Sequence, residues 1–511
     1  MNIFPICQSH FSENNSAEQN YNILRGLHED AMSQGKDTHV VYEAGMNLTI
    51  QFPANGAKIM LTDYTDFNNA TITITSDKTD PIYIFALCQN ENADCRYISK
   101  RVIDSGDYRG EEGLASGTKL LVIKDNTKWI ERDTLVENNK FQQRKDVILL
   151  KDGIAQNKTI QPYSTKMSTP QCFDYEVSES QKVFKNGNFI RNNSTKRFFL
   201  LEIGQQNNVL VENIAVTTYN SYYNLTADYC LTIRDSANVT FKDVTINGTY
   251  SATNAYGYGI YMNNTWNCLF DNLQVTNAAW GVFGTVNVNT VRLNGCSLNR
   301  FDVHCYGADI TCTNVTFQNL ISGGVRYNQL TCVYGQVLFE NCTFKSFTPV
   351  LFDSSFNAYT EMDVIFRGCT VDWSGGIPTH NGLVSAYGLF SYGENPREEL
   401  KKKCLPNIIV RDLTFKAPTG STAFTLYLFN CGGSNLVPID YLSIIDMDKI
   451  TVSPAINTLN IYASNLSFTT VNPISERKPV HFVIVGANKN WQNNLSSPTN
   501  QMLMPIFRDE E

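Results

Sequence analysis

The chain has 511 residues, 42% hydrophobic and 18% charged, with a formal net charge of −8. That length and apolar content can bury a long core, and no Pro-, Ser- or Gly-rich linker cuts the chain into halves. Lysine and arginine are scattered apart from Lys401 to Lys403, so the dense basic stripe that nucleic acid requires is missing, and no run of about 18 apolar residues exists to span a membrane.

An acidic polysaccharide stays open as a partner, because arginines gathered in a groove outweigh the global charge. The first residues, MNIFPICQSHFSEN, lack the basic start and apolar stretch of a signal peptide. The expectation is a chain that is not exported by that route or one that has lost a leader.

A helical pattern runs from about Ala17 to Gln34. Strand-like HVVYEAGMNLTIQFP follows, then ATITITS, PIYIFAL, ASGTKLLVIKD and VILLKDG. Residues 1–180 are read as an N-terminal cap with a small β-rich subdomain, which would shield the open end of the array that follows.

From Val209 to Phe415 an eight-residue pattern recurs: apolar, any, apolar, any, Asn/Asp/Gly, apolar, any, apolar. It reads VLVENIAV at Val209, VTFKDVTI at Val239, CLFDNLQV at Cys268, VRLNGCSL at Val291, ITCTNVTF at Ile310, VLFENCTF at Val337, VIFRGCTV at Val364 and IIVRDLTF at Ile408. Each copy is two short alternating strands joined at a residue that tolerates a positive φ. The corners are Asn213, Asp243, Asn272, Gly295, Asn314, Asn341, Gly368 and Asp412.

Up to Gly368 they return roughly every 19 to 30 residues, the interval of one solenoid coil. No copy has a helical period, which leaves an all-β parallel β-helix, right-handed on chirality grounds. Its expected extent is 181–490, with a polar tail over 491–511.

The pattern resembles the pectate-lyase-like superfamily of right-handed parallel β-helices, in which Asn corners stack into a ladder, over about Val183 to Val485. The resemblance implies this fold and a glycan bound along one face. The superfamily also holds lyases, glycosidases, esterases, epimerases and phage tailspikes. The NTD, paired DD, GHG and RIK arrangement of polygalacturonases is absent from the solenoid strands. So are the vWiDH and RxPxxR motifs of pectate lyases, and no catalytic residue carries over.

Of the fourteen cysteines, Cys268, Cys296, Cys312, Cys342 and Cys369 fill apolar slots of the repeat and read as small buried hydrophobes. Cys88 and Cys95 could pair. No CxxC or Cys/His metal spacing appears, so no metal or other cofactor is expected, although Asp235 and Asp243 leave calcium open.

The first strand of each coil alternates Leu201 and Ile203, Leu231 and Ile233, Ile260 and Met262, Val303 and Cys305 inward. The outward set is then Glu202, Thr232, Arg234, Tyr261, Phe283, Asp302 and His304, expected on a solvent-facing strip. Returning loops add Tyr219, Tyr222, Tyr223, Tyr250, Tyr256 and Tyr258 beside Arg234, and Trp280 extends the same wall. Flat rings with polar tips suit sugars, and Tyr-rich loops that simply pack over the solenoid are the alternative.

In FDVHCYG, Asp302 and His304 lie two apart, so the carboxylate could orient the imidazole as general base or acid. Arg234 and Arg326 could neutralise a uronate carboxylate ahead of proton abstraction, with Tyr261 or Tyr327 as acid to the leaving oxygen. A hydrolase would instead pair Asp302 with Asp353.

Beyond Val371 the regularity loosens into an insertion from Asp372 to Leu405. Three functions follow. The first is a polysaccharide lyase or glycoside hydrolase, the second a phage tailspike or receptor-binding depolymerase, the third a non-catalytic glycan-binding adhesin. They imply a monomer or homotrimer, outside the cell, on its surface or on a virion.

Overall fold

The computed structural model describes residues 2–77, 83–88, 95–125, 144–159, 170–192, 198–219, 230–248, 258–277, 280–318, 324–345, 348–352, 359–376, 382–387, 407–421, 423–432, 437–439, 445–447, 450–452, 458–464, 466–468 and 481–482. The chain forms two compact units. The first is Met1–Asn126, Arg144–Asn287 and Cys296–Leu298; the second is Thr127–Gln143, Val288–Gly295 and Asn299–Glu511.

All eight corners adopt the left-handed conformation: φ is 51° at Asn213, 53° at Asp243, 56° at Asn272, 61° at Gly295, 53° at Asn314, 53° at Asn341, 61° at Gly368 and 69° at Asp412. Asn and Asp tolerate this region because a short polar side chain bonds locally, and they then stack from coil to coil. Asn213 donates to Asn186 at 2.9 Å, Asn186 to Asp66 at 2.9 Å and Asn272 to Asp243 at 2.8 Å.

In the first unit the strands Ile3–Ile6, His39–Tyr42, Tyr64–Ser76, Lys182–Asn192, Asn207–Tyr219, Leu231–Asn247 and Tyr258–Asp271 pair in parallel, each with the next. A second parallel series, the first strand of each coil, runs Ile59–Met60, Tyr83–Cys88, Phe199–Gly204, Leu231–Asn247 and Tyr258–Asp271. This is a parallel β-helix. Parallel stacking therefore begins at Ile3, ahead of the eight-residue repeats.

The helix Ala17–Ser33 packs on Asn47–Phe52 and Ile59–Met60. Ser16 accepts from the Gln19 amide while Gln19 returns a bond to Ser16, a capping box that starts the helix there. Its buried residues Tyr21, Leu24, His28 and Ala31 face the solenoid end. Pro5, in the edge strand, removes a donor that would otherwise invite further pairing.

Between Cys88 and Lys182 lies an antiparallel sheet of five strands in the order Ile154–Ala155, Arg144–Lys151, Thr118–Asp125, Gln171–Glu176, Cys95–Tyr97. One face closes its own core around Ile98, Tyr108, Leu121, Ile123, Ile148 and Leu150. The other, Leu120, Val147, Leu149 and Val177, packs on Ala237 of the solenoid, with Trp266 alongside. Lys145 bonds Asp235 at 2.6 Å and Asn287 donates to Asp146 at 2.8 Å, which fixes the sheet to the coils.

The second unit repeats the coil. Arg300–Thr313, Gly324–Glu340, Tyr359–Asp372 and Asn407–Lys416 pair in parallel, as do Val350–Phe352, Gly382–Tyr387, Ala423–Gly432 and Thr458–Ser464. Phe317, Phe339, Phe344 and Phe366 fill its interior.

Cys268, Cys296, Cys312, Cys342 and Cys369 are buried inside the coils as free thiols, and Cys7, Cys88, Cys95, Cys172 and Cys230 are free thiols as well. Cys88 and Cys95, which could have paired, do not. Cys88 is pushed up to about 12 by burial and by the Glu202 carboxylate nearby. Among the described residues no helix is long and apolar enough to cross a membrane.

Candidate functional site

The first-strand series of the first unit sets Ala86, Glu202, Thr232 and Tyr261 in one outward row, and Cys88, Gly204, Arg234 and Asn263 in the next. Inward neighbours Leu201, Ile203, Leu231, Ile233, Ile260 and Met262 are buried, as period-two alternation requires.

Glu202 is the centre of a charge cluster. Its carboxylate accepts from Arg234 Nε at 3.2 Å and from Lys58 Nζ, and Arg234 Nη2 lies in ion-pair contact at 3.0 Å. The carboxylate is only 4% exposed, whereas the side chains of Lys58 and Arg234 are 35% and 33% exposed. The anion therefore lies beneath two half-exposed cations, and the three groups carry one net positive charge.

Burial opposes the Arg234 charge, but the Glu202 and Asp235 carboxylates more than offset it, so the guanidinium is held above its ordinary range. Gly204 lies tightly against Cys88 and beside Arg234. A methyl there would sit 3.0 Å from the Cys88 sulfur and 3.6 Å from Arg234 Nη2.

One coil on, Asn263 pairs in register with Arg234 and donates to the Tyr261 hydroxyl at 2.8 Å. Tyr261 leans on Phe283 with centroids 5.2 Å apart, and Phe283 stacks on Tyr258 at 4.7 Å. Tyr261 and Phe283 are half-buried and Tyr258 is buried. A charged seat and an aromatic shelf thus adjoin on one face, stepping about 4.8 Å per coil.

The second unit holds the other candidates. Asp302 points outward, as its parity predicts, but it is fully buried and bonds Arg300 at 2.7 Å. His304, on the same face, is buried at 8% exposure. Arg326 pairs in register with Asp302 and is half-buried.

The expectation of a solvent-facing strip is therefore corrected at Glu202, Thr232, Asp302 and His304, all buried. Lys58 and Arg234 lie over Glu202, while Asp302 pairs with Arg300, itself buried and two residues earlier on the same strand. Tyr327 is also corrected. It pairs with Val303, an inward residue, and is fully buried, which drives its hydroxyl well above the usual tyrosine range. Arg326 and Tyr327 are neighbours on one strand and cannot share a face.

Trp280 opens the strand Trp280–Asn294, and Tyr219 is exposed at the end of Asn207–Tyr219. Tyr222, Tyr223, Tyr250, Tyr256 and Asp353 lie outside the described residues.

Among solved structures, the tailspike protein gp49 from Pseudomonas phage LKA1 aligns with a TM-score of 0.49 at 12% identity, covering 91% of this chain and 76% of that one. The gp54 tailspike of Acinetobacter baumannii bacteriophage AP22, solved in complex with A. baumannii capsular saccharide, aligns at 0.45 and 11% identity over 87% of this chain and 76% of that one. The tailspike gp61 of Pseudomonas phage phi297 aligns at 0.32 and 9% identity over 92% and 74%. The chain is similar to these tailspikes. No family model and no curated protein matches the sequence. At such scores no side-chain role passes from them to this chain, whose chemistry rests on its own residues.

Lys58, Asn263 and Gly204 were not legible as site residues. Lys58 reaches Glu202 across 144 positions of sequence, which no local pattern encodes. Asn263 could have been found, because it shares outward parity with Tyr261 two residues away.

Proposed function

We propose that this chain binds a polysaccharide along the outer face of the first-strand series in its first unit. The observation that carries the reading is the stack Tyr258–Phe283–Tyr261, continued through Asn263 into the Lys58–Glu202–Arg234 cluster. Flat rings offer apolar area to the faces of sugar rings, while the polar groups beside them meet hydroxyls. A linear polymer matches an array that repeats at coil spacing. Such a role sets the protein outside the cell, on its surface or on a virion.

Binding is favoured over cleavage. Asp302, the carboxylate of both catalytic schemes, is enclosed and paired with Arg300.

The test is a panel of acidic and neutral polysaccharides, scored for retention of the protein, for new reducing ends and for the ultraviolet absorbance of an unsaturated uronate. Retention without product is the expected result. Reducing ends with absorbance would make the chain a lyase, reducing ends alone a hydrolase, and no retention on any member would overturn the glycan reading. A sedimentation mass of three chains would favour the tailspike form of this role, and of one chain the adhesin form.

A further inference from the structure

The half-exposed cations Lys58 and Arg234 are both anchored by one carboxylate beneath them. We propose that they form a seat for the carboxylate of an acidic sugar, with Glu202 as the buried positioning residue that aims them. This rests on the glycan reading above and adds to it the chemical class of one sugar.

The argument is an accounting of donors. Arg234 spends its Nε–H on Glu202, with Nη2 in ion-pair contact at 3.0 Å, and Lys58 spends one ammonium hydrogen. A guanidinium carries five donors and an ammonium three, so most remain, on side chains that are a third exposed. Glu202 consumes one of the two positive charges and leaves a net charge suited to one monoanion.

An arginine fork fits a planar carboxylate in two parallel bonds, which a single cation on a free side chain would not fix. The preorganisation comes from below: the Glu202 carboxylate restrains two long side chains whose ordering would otherwise oppose binding. The shelf at Tyr261 and Phe283 lies one to two coils on, where the ring of the same or the next sugar would rest.

The experiment is an array of bacterial, algal and plant polysaccharides with uronate-bearing, sulfated and neutral members. It is probed with the full chain and with Lys58→Gln, Arg234→Gln and Glu202→Gln, each matched to wild type in thermal melting or corrected for it. Wild type is expected to retain uronate-bearing members above neutral and sulfated ones.

Arg234→Gln should weaken that retention about tenfold or more, the scale of a lost charge-assisted bond, and Lys58→Gln somewhat less. Glu202→Gln is the decisive variant, because it adds positive charge while removing the anchor. It should weaken uronate binding, and stronger binding would overturn the positioning role.

Retention of neutral or sulfated members in preference would overturn the carboxylate assignment while leaving the glycan reading intact, as would lysine and arginine variants that bind like wild type. Retention of no member at all would remove both.

Discussion

Removing Asp235 should expose how the antiparallel sheet is held on the solenoid. Lys145 bonds both oxygens of Asp235, at 2.6 and 2.8 Å, and Asn264 donates to the same carboxylate at 2.7 Å. The side chains are only 14% and 5% exposed. Burial lowers the affinity of Lys145 for its proton, and the Asp235 carboxylate partly restores it.

Asp235→Ala leaves a buried ammonium without its counter-ion, and breaking such a pair costs about 3–5 kcal/mol. Neutralisation of the lysine limits that cost, so the variant depends on pH. With the folded-state affinity for the proton below the unfolded one, the unfolded chain binds more protons, and stability rises with pH. The deficit should be largest near neutrality and shrink toward pH 10.

Adding Lys145→Met removes the stranded charge, and the double variant should be less destabilised than the sum of the singles. Calorimetric melting of the four proteins at neutral and alkaline pH measures this. A deficit under about 1 kcal/mol for Asp235→Ala, or one that grows with pH, would refute the reasoning.

Three further outcomes follow. Asn213→Ala keeps the Cβ at φ 51° but removes the polar side chain that makes this conformation tolerable, along with its bond to Asn186, so it should cost about 2 kcal/mol, with Asn213→Gly costing less, read from urea midpoints. His28, fully buried against the Tyr42 hydroxyl at 2.8 Å, is lowered by burial to about 3. Between its unfolded value near 6.5 and that figure only the unfolded chain takes the proton, so stability should fall as pH drops, by about 5 kcal/mol at most, and His28→Leu should flatten that limb in acid titration of the melt. Brief alkylation of the native protein, followed by peptide mass mapping, should label exposed Cys95 well before Cys268, Cys312, Cys342 or Cys369, which are buried at no more than 1% exposure.

The features legible in the sequence are those that backbone geometry imposes one residue at a time. A coil must turn, only a few residue types take the left-handed region cheaply, and so Asn213, Asp243 and Asn272 marked the solenoid. The helix near Ala17 to Gln34 was legible from its helical pattern, and the structure adds the capping box of Ser16 and Gln19 that starts it. Other corners escaped because they follow no alternation of their own: Asn208 and Gln205, Asn238, and Asn267 and Asn264 also take positive φ.

Side-chain parity told which way Glu202, Arg234 and Asp302 point, but not what lies over them. That depends on long flexible cations reaching in from elsewhere, Lys58 above all. Parity also placed Phe283 correctly beside Tyr261, whereas Tyr327 was drawn to the site by its chemistry against its own strand alternation.

The most direct test of the central claim is retention on the polysaccharide panel by the Tyr261→Ala and Phe283→Ala variants beside wild type. The account predicts that a polysaccharide held by wild type is held about tenfold or more weakly by each variant, with melting temperatures and product formation compared in the same samples. Undiminished retention by both folded variants would contradict it and move the glycan to another face of the chain.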